Sequence, residues 1–294
     1  MKKTIKTVFS GVATALITPF KNGEIDYSSL RGLIEFQISE GADALLINGT
    51  TGESATLSDR EKRELIAFCV REIGKRVPLI AGTGSNDTAH ARDLSQYASD
   101  AGADAVLVVT PYYNKASSEG LFRHYTEIAD NIDVPMIIYN VPSRTGLNIP
   151  LDVYEKLANH KNIVGVKEAG SSVGDFAKLS QKCGTRLDLY SGNDDLVLPT
   201  LSLGGKGVIS VLSNLLPRRM HDMCSLFFEG KVKEATELQL DLIPLIDAIF
   251  SEVNPIPIKA LLSRAHLCEE EYRLPLCPLD SIKRKKLFEI ADLY

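Results

Sequence analysis

Lys167 closes the apolar run in NIVGVKEAG (162–170) and is the residue from which chemistry is read first. An amine held in a dry pocket loses its proton more readily, because desolvation disfavours the ammonium. The neutral amine then condenses with a keto group to an imine. Other apolar runs end in groups that serve such a reaction. Tyr139 and Arg144 stand in YNVPSRTG (139–146), Tyr112 and Tyr113 in TPYYNK (110–115), and Thr50 and Thr51 in GTTGE (49–53). Tyrosine hydroxyls can shuttle the protons that imine and carbon–carbon bond formation require. Glycine-flanked threonines can offer N–H and O–H groups to a carboxylate, and the planar fork of Arg144 suits a second one. Each residue also has a plain structural alternative. A strand-final lysine can snorkel, Tyr139 can be a core aromatic with a wet hydroxyl, and Thr50 and Thr51 can cap a helix. Tyr112 and Tyr113 can be loop packing, and Arg144 a surface charge in a turn. Placement of all of them on one rim is what separates the two readings, and that requires a particular fold.

Two near-copies, GADALLIN (41–48) and GADAVLVV (102–109), each follow a polar, helix-like stretch. A repeated unit of helix, Gly-Ala-Asp and buried strand marks parallel βα repeats. The remaining strands read as continuous apolar runs, as expected where helices cover a sheet. They fall at 12–17, 44–48, 78–82, 105–109, 135–140, 162–167, 187–192 and 207–211. Helical patterns lie between them at 27–41, 58–73, 87–100, 118–130, 151–160, 172–182 and 194–203, and Ser58 with Glu61 forms a capping box. The pattern predicts an α/β chain closed as a (β/α)8 TIM barrel with additional C-terminal helices. The expected division is a catalytic barrel over 1–225 and a helical appendage over 226–294. An open doubly wound sheet is the runner-up, but Gly82-Thr83-Gly84 lacks the third glycine of a dinucleotide fingerprint.

The chain has 294 residues, 44% hydrophobic and 24% charged, with a formal net charge of −5. That balance argues against a general nucleic-acid binder. The cationic run SIKRKKLFEI (281–290) reads as the wet face of a terminal helix. Five scattered cysteines form no CxxC pair and fit free thiols in a reducing cytoplasm. Lys2, Lys3 and Lys6 resemble a signal-peptide basic region, but the apolar run behind them is short and interrupted by Ser10 and Gly11. No apolar run reaches the ~18 residues of a membrane-spanning helix. No histidine lies at a strand end, and neither HxH nor HExxH occurs, so no metal is expected.

GTTGESATL (49–57), AGTGSN (81–86), TPYYNK (110–115), YNVPSRTG (139–146), GVKEA (165–169), GGKGVISV (204–211) and NPIPIK (254–259) occur in this order. Together they resemble the dihydrodipicolinate synthase family of pyruvate-dependent class I aldolases, over nearly the whole chain. The resemblance implies that Lys167 is the Schiff-base lysine and that Tyr139, Thr50 and Tyr113 form a proton relay. It implies that Tyr113 crosses a subunit interface, that Thr51 receives the pyruvate carboxylate and that Arg144 receives that of L-aspartate-4-semialdehyde. Ile209 and Gly192 would line the pocket, largely through backbone. The implied reaction is the committed step of lysine and diaminopimelate synthesis. It needs no cofactor and implies a cytoplasmic homo-oligomer, a tetramer built as a dimer of dimers.

In family members inhibited by lysine, an allosteric pocket is built from positions matching Ser54, Ala55, Asp59, Lys62, Asn86, His90 and Tyr112. Sensitive bacterial enzymes carry histidine at the positions of Asp59 and Lys62, and glutamate at that of His90. The resemblance therefore implies weak or absent inhibition here. Sister enzymes remain as alternatives: an N-acetylneuraminate lyase or a 2-keto-3-deoxy sugar-acid aldolase. Arg144 and the Thr50-Thr51 pair speak for the synthase. A barrel that only binds a keto acid is opposed by the intact set of Lys167, Tyr139, Thr50, Tyr113 and Arg144, since fold alone does not choose a reaction.

Overall fold

The computed structural model describes residues 7–170 and 172–294. Lys2, Lys3 and Lys6 lie outside the described residues, as does Ser171 of the segment 170–176. Eight strands form the barrel: β1 Gly11–Ala15, β2 Ala44–Ile47, β3 Leu79–Gly82, β4 Ala105–Val109, β5 Met136–Asn140, β6 Ile163–Glu168, β7 Asp188–Ser191 and β8 Gly207–Ser210. They pair in chain order, all parallel, and β8 closes on β1. The strands are buried and largely apolar because both their faces are covered, with polar residues mostly toward their C-terminal ends. On β5, Ile138 packs outward beneath the helices, whereas Ile137 and Tyr139 belong to a separate cluster inside the barrel.

Helices α1 Tyr27–Ser39, α2 Asp59–Ile73, α3 Thr88–Ala101 and α4 Ser118–Asp130 follow β1 to β4. The capping box of α2 is formed as expected: the Ser58 amide donates to Glu61 at 2.8 Å, and the Glu61 amide donates to the Ser58 hydroxyl at 3.3 Å. After β5 come a single turn, α5 Pro142–Thr145, and then α6 Leu151–Leu157. Ser172 caps α7 Val173–Cys183. The helix expected over 194–203 divides into a 3-10 turn, Asp194–Leu196, and α8 Val197–Ser202. The division goes with Asp194, whose carboxylate accepts the amides of Val211 and Leu212 at the end of β8, at 3.0 Å each.

A small hairpin, Phe20–Lys21 with Glu24–Ile25, was not anticipated. Its signal is present: Asn22-Gly23, with φ of 54° and 82°, is the dipeptide that such two-residue turns favour. Four helices complete the chain: α9 Pro217–Phe228, α10 Val232–Ile249, α11 Ile256–Arg264 and α12 Ser281–Ala291. The division expected after residue 225 falls within α9, which packs on β1 as well as on α10. The cationic run forms α12, with Lys283 paired to Glu252 and Arg284 to Glu270. Among the described residues no helix is long and apolar enough to cross a membrane.

Candidate active site

The parallel register of β5, β6 and β7 puts Tyr139, Lys167 and Tyr190 side by side. Strand alternation turns all three toward the barrel interior. Tyr190 stacks on Phe9 and donates its hydroxyl to the Phe9 carbonyl at 2.9 Å. Gly165, on the same face as Lys167, leaves room for that ring, because a Cβ there would stand 3.3 Å from it. Glu168 points the other way. It accepts from Asn140 at 3.0 Å, from the Gly170 amide at 2.7 Å and from the Tyr154 hydroxyl at 3.3 Å, and so ties the loops after β5 and β6 together.

Lys167 is 6% exposed and opens into a cavity of about 200 Å³ at the C-terminal end of the barrel. Its amine stands 4.3 Å from the centroid of the Tyr139 ring. Burial drives its pKa down to about 7. Arg144 adds to that effect by like charge, while the buried carboxylate of Asp194 opposes it. An amine poised near neutrality is the nucleophile that imine formation needs.

The same cavity is lined by Thr50, Thr51, Tyr139, Arg144 and Gly192, which reach it from three different strand ends, those of β2, β5 and β7. Thr50 lines the cavity together with Tyr139, whose phenol burial pushes up, against the influence of Arg144 and Thr50. Tyr139 is therefore a protonated phenol at neutral pH, able to give a proton. Arg144 is held by the one-turn helix α5, ended by Gly146 at φ 67°. Gly192 is bare for a reason: a Cβ there would stand 3.1 Å from Cε of Lys167 and 2.6 Å from Cβ of Ala169. A larger cavity of about 700 Å³ adjoins, sharing Ser143, Ala169, Asn193 and Phe250, but the lysine opens only into the smaller one.

One residue expected to line the pocket stands elsewhere, and Tyr113, expected to serve a neighbouring subunit, points away from its own. Ile209 is fully buried in the cluster inside the barrel, and Val211, two residues on, reaches the cavity instead. Tyr113 is 91% exposed at φ 71°, a left-handed backbone that costs a non-glycine residue energy, and it does not line the cavity of its own chain. Of the expected effector positions, His90 and Asp59 meet, with Nε2 and Oδ1 2.9 Å apart. Ser54 and Ala55 sit in a 3-10 turn, Lys62 on α2, and the Asn86 carbonyl accepts from Asn114 at 2.9 Å; Tyr112 is exposed.

Reasoning from strand ends missed Asn254. It enters the cavity from the far side of the chain and donates its amide to the Thr51 hydroxyl at 3.0 Å. The signal for it was the motif NPIPIK, which carried no role. A second buried lysine, Lys259, comes from the same motif. It is bound at 2.6 Å to Glu53 of the Thr50-Thr51 loop, both side chains being shut off from solvent.

A model of the dihydrodipicolinate synthetase family matches residues 8–293. A curated relative from Geobacter metallireducens, named 4-hydroxy-tetrahydrodipicolinate synthase, is 46% identical over 98% of this chain and 99% of its own. The solved dihydrodipicolinate synthase of Aquifex aeolicus superposes with a TM-score of 0.96 at 42% identity, covering 97% of this chain and 98% of that one. That of Acinetobacter baumannii, solved as a chloride-inhibited enzyme complexed with pyruvate, gives 0.95 at 39% identity, covering 97% and 98%. By this match in sequence and in fold, the chain belongs to the dihydrodipicolinate synthetase family.

Proposed function

We propose that this chain is a lyase that condenses pyruvate with L-aspartate-4-semialdehyde to 4-hydroxy-tetrahydrodipicolinate, in lysine and diaminopimelate biosynthesis. The observation that carries the reading is the buried Lys167 amine with its pKa near 7, beside Tyr139 and in one cavity with Arg144. The names of its relatives support the same reaction. The Lys167 amine attacks the pyruvate keto carbon, and water leaves as the imine forms. Loss of a methyl proton gives an enamine, whose carbon attacks the aldehyde of the second substrate. The amino group of that substrate then displaces Lys167 and closes the ring. Tyr139, relayed through Thr50, donates and accepts the protons. Thr51 receives the pyruvate carboxylate, Arg144 receives the other, and Gly192 leaves space for the lysine.

The protein acts as a cytoplasmic homotetramer in this reading, and Tyr113 completes the relay in a neighbouring subunit. Its exposure and left-handed backbone, and its place outside its own chain's cavity, support that assignment. The functional test has two arms. Pyruvate with borohydride should add one covalent mass, mapped to Lys167, and a coupled assay should show turnover with aspartate semialdehyde and none with long sugar acids. Absence of the adduct defeats the reading, and turnover of sugar acids alone transfers it to a sister aldolase.

Two variants measure individual roles in that assay. Tyr139→Phe removes the proton donor but keeps the ring over the amine, and kcat is expected to fall roughly 10²–10⁴-fold. An unchanged kcat removes Tyr139 from the relay. Gly192→Ala pushes a methyl against Lys167, and a misplacement of that kind is expected to cost roughly 10²-fold in kcat/KM. Parent-like kinetics with a parent-like melting temperature would mean that the lysine has slack.

A further inference from the structure

We propose that Asn254 is a positioning residue that sets the hydrogen-bond polarity of Thr51 and braces Arg144, so that both carboxylate receivers of the site are organised by one residue from the C-terminal segment. The proposal rests on the pyruvate reading of the site, and it assigns a role to a residue between α10 and α11 that stands apart from all eight barrel strands.

Asn254 is buried and lines the cavity that holds Lys167. Its Nδ2 donates to Oγ1 of Thr51 at 3.0 Å across 203 residues of sequence. Its main-chain carbonyl accepts from Nη2 of Arg144 at 3.4 Å. Its Oδ1 is buried and has no hydrogen-bond partner among the described residues. A buried acceptor left unsatisfied is costly, and groups of this kind persist where function requires them.

The orientation has a chemical consequence. A threonine hydroxyl has one proton and two lone pairs. By donating into a lone pair, the Asn254 amide leaves the Thr51 proton free to be given to an anion. The opposite orientation would place Oδ1 against the hydroxyl and take up that proton. Thr51 would then present only lone pairs, which repel a carboxylate. The same loop is anchored a second time from the same segment. Lys259, five residues on, holds Glu53 two residues beyond Thr51, and Glu53 sits in a left-handed conformation at φ 53°. The loop that receives a carboxylate is thus shaped from outside the barrel.

The test is the pyruvate dependence of borohydride trapping in the full-length protein. In Asn254→Asp the side chain can only accept from Thr51 and adds a negative charge. The pyruvate concentration for half-maximal trapping should rise roughly 100-fold, while Lys167 is still labelled at saturation. Asn254→Ala, which adds no charge, should raise it roughly tenfold. If the two residues act as a unit, Asn254→Ala made in a Thr51→Val background should change it less than about twofold more. Parent-like pyruvate dependence in both single variants overturns the proposal, as do effects that simply multiply in the double variant. If neither single variant folds, Asn254 is a structural residue and the proposal is equally overturned. Failure of the underlying reading looks different, because the parent protein itself would then not be trapped.

Discussion

Lys167→Arg is expected to lose pyruvate trapping altogether and to lower turnover at least ~10³-fold, into the range left by binding alone. Arginine keeps a long cationic side chain at this position but stays charged at every working pH. It removes the one property the reaction needs, an amine that deprotonates near neutrality. In the parent the burial that lowers the lysine pKa to about 7 also fixes the pH dependence. Below that value the amine is an ammonium and does not attack; above it, it does. The trapping rate should therefore rise with pH and reach half its plateau near 7, against the 10.5 of an ordinary lysine. A midpoint above about 9, or trapping retained in Lys167→Arg, would remove Lys167 from its role. The same shift acts on stability with a definite sign. Between about 7 and 10.5 the unfolded chain binds a proton at this lysine that the folded chain has released. Stability therefore climbs with pH across that window, and Lys167→Met should abolish that part of the slope.

The second large effect concerns the other buried lysine. Lys259→Met is expected to lower the unfolding free energy by about 3–5 kcal/mol, because it leaves the Glu53 carboxylate buried without its partner. The ammonium of Lys259 also lies 4.2 Å from the centroid of the Phe20 ring and 5.4 Å from that of Tyr272, and it is lost from both. Urea unfolding should show a lower midpoint at unchanged slope. Adding Glu53→Gln to Lys259→Met should recover a large part of the loss, since the unpaired charge is then gone. A midpoint within error of the parent would show that the pair contributes nothing. The contrast with Lys167 explains why two buried lysines do different things. Burial lowers the pKa of both, but Glu53 pulls Lys259 back toward its charged form, at 2.6 Å. The Lys167 amine instead faces a cavity, over the Tyr139 ring.

How much of this was legible in the chain follows from what each signal measures. The apolar runs at 105–109 and 135–140 report burial on both faces, and strands appear there to within a residue. The Ser58–Glu61 spacing reports a local hydrogen-bond pair, and the helix begins where that pair requires. The split of 194–203 was not legible, because the cause is a carboxylate reaching the amides of Val211 and Leu212 on another element. The hairpin at 20–25 was legible in Asn22-Gly23 and went unread.

By itself, then, the sequence determined which residues end the buried runs. In a barrel of parallel βα units every such end emerges on one rim, so Lys167, Tyr139, Thr50, Thr51 and Arg144 could be gathered without coordinates. Only the tertiary structure decided the register that sets Lys167 beside Tyr139, the packing that put Ile209 inside the barrel and Val211 at the cavity, and the arrival of Asn254 and Lys259 at the Thr50-Thr51 loop. Periodicity and capping act over a few residues and leave a trace in the local pattern. A contact across some two hundred residues is chosen by the closure of the whole barrel and the helices around it, and no local pattern encodes that choice.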